Sequence, residues 1–241
     1  MMSEHEYGIV MIHGICGSTS IFNTLLPAVD ENVPVELLVL DGHGGDASGF
    51  SRSSMDKWKE QVKRAVDSMK KKCRRVIVAG HSMGCLLAIG EAVRSGVDGM
   101  FLLCPPLKLH LTWSAILNPL KVTLGLSESD PVIMAAKEAY GLKIDYNPLH
   151  FYGWPARYIE LLTEIRRVNR LLGTVTLNCP VSVYLCGRDE MVSTASAAKF
   201  KVQPAIKVEV LPESTHYYFP TRERNALERA FGDFLCSVIN K

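Results

Sequence analysis

The residues with the clearest chemistry lie at positions 80–84, where the sequence reads Gly-His-Ser-Met-Gly. An apolar run over residues 75–79 precedes this motif, and residues 85–89 follow it in a pattern typical of a helix. A strand, G-x-S-x-G and a helix in this order predict a nucleophile elbow. The flanking Gly80 and Gly84 let the strand and the helix approach closely, which lifts Ser82 Oγ to the edge of a sheet. Ser82 is therefore the candidate nucleophile.

A serine hydroxyl is a weak nucleophile at neutral pH, so it needs a base within hydrogen-bond reach and an acid that orients this base. The sequence contains seven histidines. His216 is favoured as the base, because it follows the last predicted strand and precedes the last predicted helix. His13 and His43 lie in loops at the same predicted sheet edge and stay open as alternatives.

Asp189 is favoured as the orienting acid, because it follows a predicted strand and a glycine. Glu190 is its neighbour and could replace it. Asp41 is a weaker alternative, since its strand precedes the elbow. The order Ser82, Asp189, His216 along the chain is one of the known orders of a catalytic triad.

A tetrahedral intermediate also needs two N–H donors directed at the developing oxyanion. One is the backbone N–H of Met83, the residue after the candidate nucleophile. The other should come from the glycine-rich turn at residues 13–17, which follows the first predicted strand. Ile15 N–H is the best candidate there, and a plain glycine turn is the alternative.

These candidates are placed by an alternation of predicted strands and helices. The predicted strands cover residues 7–12, 35–40, 75–79, 100–104, 181–186 and 206–211. Such alternation predicts an α/β fold with a mostly parallel sheet of about six strands and helices on both faces. The alternation breaks between residues 107 and 178, where a helical pattern replaces it. Because a structureless loop of this length is improbable, we expect an inserted helical lid at 107–178 and a core at 1–106 and 179–241.

The motifs His13-Gly14, residues 80–84, Gly187-Arg188-Asp189 and Thr215-His216 together resemble the α/β-hydrolase superfamily. Within it, the chain resembles small bacterial carboxylesterases and monoacylglycerol lipases of the serine aminopeptidase-like group. The resemblance implies the α/β-hydrolase fold, a Ser–His–Asp triad, an oxyanion hole made by the Ile15 and Met83 amides, and no cofactor. Cys16, in the oxyanion loop, departs from the family pattern and would narrow or polarise the acyl side of the pocket.

An apolar acyl pocket is predicted from residues that could equally be core. Its candidate lining residues are Cys16, Phe22, Met134, Tyr140, Phe151, Trp154 and Tyr217. The expected substrate is a small-molecule carboxylic ester, either a short- to medium-chain acyl ester or a monoacylglycerol.

Two other functions stay open. The first is an amidase or aminopeptidase, in which a lid acid would hold a substrate ammonium. The candidate acids are Glu128, Asp130, Glu138 and Asp145. The second is a ligand-binding protein on a hydrolase scaffold, because a fold does not fix a function.

Composition excludes several other classes of protein. With 241 residues and a formal net charge of +2, the chain fits one large α/β domain and shows no basic block that would favour nucleic acid. The sequence has no apolar run long enough for stable membrane insertion, and its polar, acidic first residues do not resemble a signal peptide. Seven cysteines without a C-x-x-C motif favour reduced thiols in a cytoplasm. Asp41, His43 and Asp46 lie close in sequence, but a zinc site needs three or four convergent ligands with a supporting shell, and nothing else in the sequence points to one, so no metal is expected.

Overall fold

The computed structural model describes residues 5–110, 112–124, 126, 129–200 and 206–240. Within these residues the sheet consists of six strands: β1 (His5–Ile12), β2 (Val35–Leu38), β3 (Cys73–His81), β4 (Gly99–Leu103), β5 (Val181–Cys186) and β6 (Ile206–Leu211). Their order is β2-β1-β3-β4-β5-β6, and every neighbouring pair is parallel. The prediction of a mostly parallel sheet of about six strands is confirmed.

Helices connect the strands and cover the sheet. They are α1 (Ala47–Ser51), α2 (Met55–Lys72), α3 (Met83–Ser95), α4 (Trp113–Thr123), α5 (Pro131–Ala139), α6 (Trp154–Thr174) and α7 (Thr221–Ile239). Short 3₁₀ segments lie at Thr19–Thr24, Leu26–Ala28, Pro148–Phe151 and Thr194–Lys199. No helix in the described part of the chain combines the length and the apolar character needed to cross a bilayer.

The sheet is buried on both faces because its strands are apolar at successive positions. In β3, Val76 and Val78 pack in one core with α2, α3 and α6. Ile77 and Ala79 pack in a second core with α7 on the opposite face. Successive side chains of a strand point to opposite faces, so a sheet covered on both sides needs such continuous apolar runs.

Helices occupy most of the described residues between 107 and 178, and none of the six strands falls in this stretch. The second half of α6 buries Ile165, Val168 and Leu172 in the core shared with α2 and α3. This half of α6 therefore helps to cover the sheet. The boundaries of a lid at 107–178 stay a prediction.

Phe22 corrects one prediction about the pocket. Its side chain is fully buried, and it packs in the same core cluster as Ile9, Met11 and Phe231. The prediction that Phe22 lines the acyl pocket is wrong, because the segment Thr19–Thr24 turns this ring into the core on the α7 face.

The contact between α3 and β1 depends on Gly84. A Cβ atom at Gly84 would lie 1.9 Å from the carbonyl oxygen of Ile12. This backbone cannot yield without moving β1, so only glycine lets the first turn of α3 lie against the strand. The sheet position of Ser82 follows from this close approach.

We expect Gly84→Ala to lower the free energy of unfolding by about 3 kcal/mol or more, because the added methyl group meets backbone atoms. Gly173→Ala is the matched control, since Gly173 also lies in a helix but has no atom within 4 Å of its would-be Cβ. That control should raise the free energy of unfolding by about 0.5–1 kcal/mol. Urea unfolding of both variants measures the difference. Equal effects would contradict the close-packing explanation.

Candidate active site

Ser82 occupies a strained turn between β3 and α3. Its backbone has φ 52° and ψ −122°, and it is the residue that caps the N-terminus of α3. Positive φ is uncommon in residues with a Cβ atom, and such strain clusters at functional sites. Ser82 N–H donates to the carbonyl of Leu103 at 2.9 Å, which ties the turn to the end of β4. The geometry matches a nucleophile elbow.

His216 and Asp189 form a buried pair. His216 Nδ1 donates to Asp189 Oδ2 at 2.8 Å, and both side chains are 1% exposed. The other carboxylate oxygen, Oδ1, accepts the backbone N–H groups of Met191 and Val192, each at 2.8 Å. Both oxygens of Asp189 thus accept hydrogen bonds, and these bonds hold the carboxylate and the imidazole in one orientation. Because Nδ1 carries the donated proton, Nε2 is the ring nitrogen of His216 left to act as a base.

The backbone of His216 is held from two sides. His81 Nε2 donates to the carbonyl of His216 at 3.0 Å, and the two rings lie 4.8 Å apart. Glu190 Oε2 accepts the N–H of His216 at 3.2 Å. His81 is adjacent to Ser82. This contact therefore connects the elbow directly to the loop that carries His216, residues 212–220, which we call the histidine loop. Glu190, the alternative acid, binds the backbone of His216, while Asp189 binds its ring.

Three further buried histidines lie near this edge, and their pKa values are shifted in the opposite direction from that of His216. Burial lowers the pKa of His13 to about 4, and it lowers the pKa of His43 and His81 to about 3. Burial also acts to lower the pKa of His216, but the paired Asp189 carboxylate outweighs it and raises that pKa above the ordinary value. Among these four histidines, His216 is therefore the best proton acceptor.

Asp189 responds to the same pairing. Burial acts to raise its pKa, whereas the attraction of His216 and the hydrogen bonds it accepts keep that pKa below the ordinary value. An ionised Asp189 and a readily protonated His216 are what an orienting acid and a general base require.

The turn at residues 13–17 lies next to Ser82. A Cβ atom at Gly14 would be 2.9 Å from Ser82 Cβ. Among the described residues, neither Ile15 N–H nor Met83 N–H has a hydrogen-bond acceptor. Met83 begins α3, where the first N–H groups have no partner inside the helix. Both groups are thus available as donors.

His13 and His43 fix this turn. His13 Nε2 accepts the N–H of Leu40 at 3.1 Å, and His43 Nε2 accepts the N–H of Cys16 at 3.1 Å. Their rings lie 4.7 Å apart. With these nitrogens occupied and their pKa values lowered, the two histidines support the loop and are poorly suited to act as the base.

Residues 139–143, which we call the strap, hold the same turn from outside. Gly141 N–H donates to the carbonyl of Cys16 at 2.8 Å, and Gly44 N–H donates to the carbonyl of Gly141 at 2.6 Å. A Cβ atom at Gly141 would lie only 1.7 Å from the carbonyl oxygen of Gly17. The strap therefore joins the turn at residues 13–17 to the loop after β2.

The other predicted pocket residues do not line a single cavity. Met134 and Tyr217 line a cavity of about 590 Å³ together with Ile21, Glu138, Phe219 and Arg224. Tyr140 lines a separate cavity of about 280 Å³. Phe151 and Trp154 pack on each other with ring centres 4.9 Å apart. Ser82 lines neither cavity.

Tyr217 places the larger cavity beside the buried pair. Its ring packs edge-on against the His216 ring, with centres 4.8 Å apart. Cys16 lies nearby, and its Sγ is 3.7 Å from the hydroxyl of Tyr158. Burial raises the pKa of Cys16 to about 12, so this thiol stays protonated and is not a competing nucleophile.

The acids considered for an ammonium site are dispersed. Glu138 lines the larger cavity, and its Oε1 accepts from Asn23 Nδ2 at 3.4 Å. Asp130 caps α5, and Asp145 pairs with His150 at 2.6 Å. Glu128 lies outside the described residues.

Residues 9–229 match the alpha/beta hydrolase family. The chain belongs to this family. No curated protein sequence matches the chain. The family match confirms the fold class expected from the elbow and the strand–helix alternation.

Solved structures of several other proteins share this fold. One, from work on the metagenome-derived lipolytic enzymes LipS and LipT, has a TM-score of 0.70 and 18% identity over 99% of this chain and 96% of that chain. Est1E from Butyrivibrio proteoclasticus with bound ferulic acid has a TM-score of 0.67 and 21% identity, covering 100% and 92%. The monoacylglycerol lipase of Paleococcus ferrophilus has a TM-score of 0.68 and 14% identity, covering 98% and 96%. At these identities the likeness establishes the fold.

Glu223 is a site residue that sequence reasoning missed. Its Oε2 accepts the hydroxyl of Ser214 at 2.5 Å, and its Oε1 accepts the N–H of Glu213 at 3.0 Å. These bonds anchor the start of the histidine loop to α7. A glutamate in the first turn of a helix is usually a solvated residue, so the sequence carries no signal for this role.

We expect Asp189→Asn to move the pKa of His216 below 6.5, because burial then acts without the opposing carboxylate. In the unmodified protein the paired carboxylate should hold the pKa of His216 above that of the variant. NMR titration of ¹⁵N-labelled histidines measures both values, with His216→Gln used for assignment. Asp41→Asn is the control and should leave the pKa of His216 unchanged. A His216 pKa that does not respond to Asp189→Asn would contradict the pairing.

Proposed function

We propose that this alpha/beta hydrolase cleaves carboxylic esters through an acyl-enzyme on Ser82. One observation carries the proposal: the buried His216–Asp189 pair is held against the residue that precedes a strained Ser82. In this proposal His216 is the base and Asp189 is the orienting acid. The coarser conclusion, a hydrolase of the carboxylesterase and lipase type, agrees with the family and its structural neighbours.

In the first half of the reaction, His216 Nε2 takes the proton of Ser82 Oγ as this oxygen attacks the ester carbonyl. The tetrahedral intermediate collapses, and His216 gives the proton to the leaving alcohol. In the second half, His216 takes a proton from water, which attacks the acyl-enzyme. As the bond between Ser82 Oγ and the acyl carbon breaks, His216 returns this proton to Ser82 Oγ and the acid is released. The ionised Asp189 stabilises the imidazolium that forms in both halves.

The Ile15 and Met83 N–H groups are the proposed donors to the oxyanion. Both lie beside Ser82, one in the adjoining turn and one at the start of α3, where the helix dipole also favours negative charge. A preorganised pair of donors stabilises the charge on the carbonyl oxygen in the transition state more than the neutral ester.

The cavity of about 590 Å³ is the proposed site for one arm of the ester. It lies next to Tyr217, which contacts His216, and Ile21, Met134 and Phe219 give it an apolar side. Such a cavity suits a short- to medium-chain acyl group or a monoacylglycerol. The residues between 107 and 178 supply α5 to its wall, which is the role proposed for this stretch as a lid.

An amidase or aminopeptidase is the second candidate, and Glu138 is the residue that favours it. This carboxylate lines the cavity beside Tyr217 and could face a substrate ammonium. Lys137 and Arg224 line the same cavity and offset its charge. A site for an ammonium needs a net negative field, so the ester is the better-supported substrate.

We expect Ser82→Ala to lower the rate of p-nitrophenyl butyrate hydrolysis by about 10³-fold or more, because it removes the nucleophile. A fluorophosphonate should add to the unmodified protein at Ser82 and not to the variant, as mass spectrometry of peptides would show. Ser237→Ala, on the surface of α7, is the control and should keep the full rate.

Equal rates for Ser82→Ala and the unmodified protein would contradict the acyl-enzyme. An unmodified protein that binds esters without turnover would favour the ligand-binding alternative. Faster turnover of aminoacyl anilides than of butyrate esters would favour the amidase.

We expect Gly141→Ala to lower kcat by about 10²-fold with a smaller change in KM, because the methyl group displaces the turn that carries Ile15. Gly45→Ala is the matched control: Gly45 accepts a hydrogen bond from the strap but has no atom within 4 Å of its would-be Cβ. Steady-state kinetics, with thermal melts to verify folding, measure the effect. A full kcat in Gly141→Ala would show that the strap does not position the oxyanion donors.

A further inference from the structure

Two thiols lie next to the His216–Asp189 pair. Cys104 follows the end of β4 and Cys186 ends β5, so the two residues stand side by side at the carboxyl edge of the sheet. Their Sγ atoms are 3.2 Å apart, and both side chains are fully buried. Cys104 has φ 51°, an uncommon conformation for a residue with a Cβ atom. The proposed reaction uses neither thiol.

A third ligand atom completes this group. Cys104 Sγ, Cys186 Sγ and a carboxylate oxygen of Asp189 all lie within 4.8 Å of one another. Two thiolates and one carboxylate are a donor set that suits Zn²⁺ and softer divalent cations. Zinc–sulfur bonds of about 2.3 Å in a tetrahedral site separate two sulfurs by roughly 3.8 Å. The two side chains would need to move apart by only a few tenths of an ångström each.

The charges around the site also fit a divalent cation. Two thiolates and Asp189 carry three negative charges, and the cation carries two positive charges. The cation would therefore offset two of the three negative charges that the ligands carry. Buried ions are tolerated when they are paired in this way.

We propose that Cys104, Cys186 and Asp189 form a binding site for one thiophilic divalent cation that inhibits the enzyme. On binding, each thiol loses its proton to the buffer, two metal–sulfur bonds and one metal–oxygen bond form, and no group is oxidised or reduced. The cation competes with His216 for Asp189, which weakens the orientation of the base. The inhibition rests on the proposed function, whereas the binding does not.

Cd²⁺ is the probe, because its thiolate complexes absorb in the ultraviolet. Titration of Ser82→Ala, which needs no activity, should show one Cd²⁺ per chain and thiolate-to-cadmium absorption. Because the ligands are buried, we expect binding over minutes rather than at mixing. Cys104→Ser and Cys186→Ser should each weaken Cd²⁺ binding by about tenfold or more, since each removes a ligand. Cys236→Ser, at an exposed thiol, should bind as Ser82→Ala does.

Unchanged Cd²⁺ affinity in Cys104→Ser or in Cys186→Ser would overturn the site. A thermal melt of protein that keeps Cys104, Cys186 and Asp189 gives a second test. Cd²⁺ bound to the folded protein raises Tm, whereas Cd²⁺ that reaches the thiols only after unfolding lowers Tm and overturns the proposal. Loss of p-nitrophenyl butyrate hydrolysis by the unmodified protein should follow the same Cd²⁺ concentrations. If the protein binds Cd²⁺ but does not hydrolyse esters, the proposed function is contradicted and the cation site is supported.

Discussion

The close approach of α3 to the central strands is the constraint on which the site depends. Ser82 can cap α3 at positive φ only because the helix begins within contact of β1, and Gly84 is the residue that permits this contact. Gly80 adds to it, since a Cβ there would lie 2.8 Å from backbone atoms of Cys85 and Gly84. The strain at Ser82 is thereby balanced by burial of α3 against the sheet.

The histidine loop obeys a second constraint, which is that buried polar groups must be paired. His216, Asp189, Glu190 and Glu223 are all nearly inaccessible to solvent, and each has hydrogen-bond partners from another element. Removing one partner would leave a buried group unsatisfied, at a cost of about 1–3 kcal/mol or more for a charge. The network therefore fixes the position of His216 more firmly than the loop sequence alone could.

Much of the fold is predictable from local pattern. The strands and the elbow can be read from the sequence because a strand buried on both faces is a continuous apolar run, and the order of motifs follows the order of strands. Phe22 shows where this fails: the sequence places it near the oxyanion turn, but which way a ring in a short 3₁₀ segment points depends on distant partners in α7. The roles of the strap and of Glu223 cannot be predicted for the same reason, since these roles rest on contacts between segments far apart in sequence.

The four buried histidines show why position alone does not assign chemistry. His13, His43, His81 and His216 share burial, and three of them are pushed toward the neutral form by it. A single carboxylate reverses the direction for His216. Because the reaction needs a group that accepts a proton and then returns it, the partner of the ring, more than its depth, distinguishes a base from a supporting residue. The same carboxylate is within reach of two thiols, so the feature that suits His216 to the proposed reaction also exposes it to competition from a thiophilic cation.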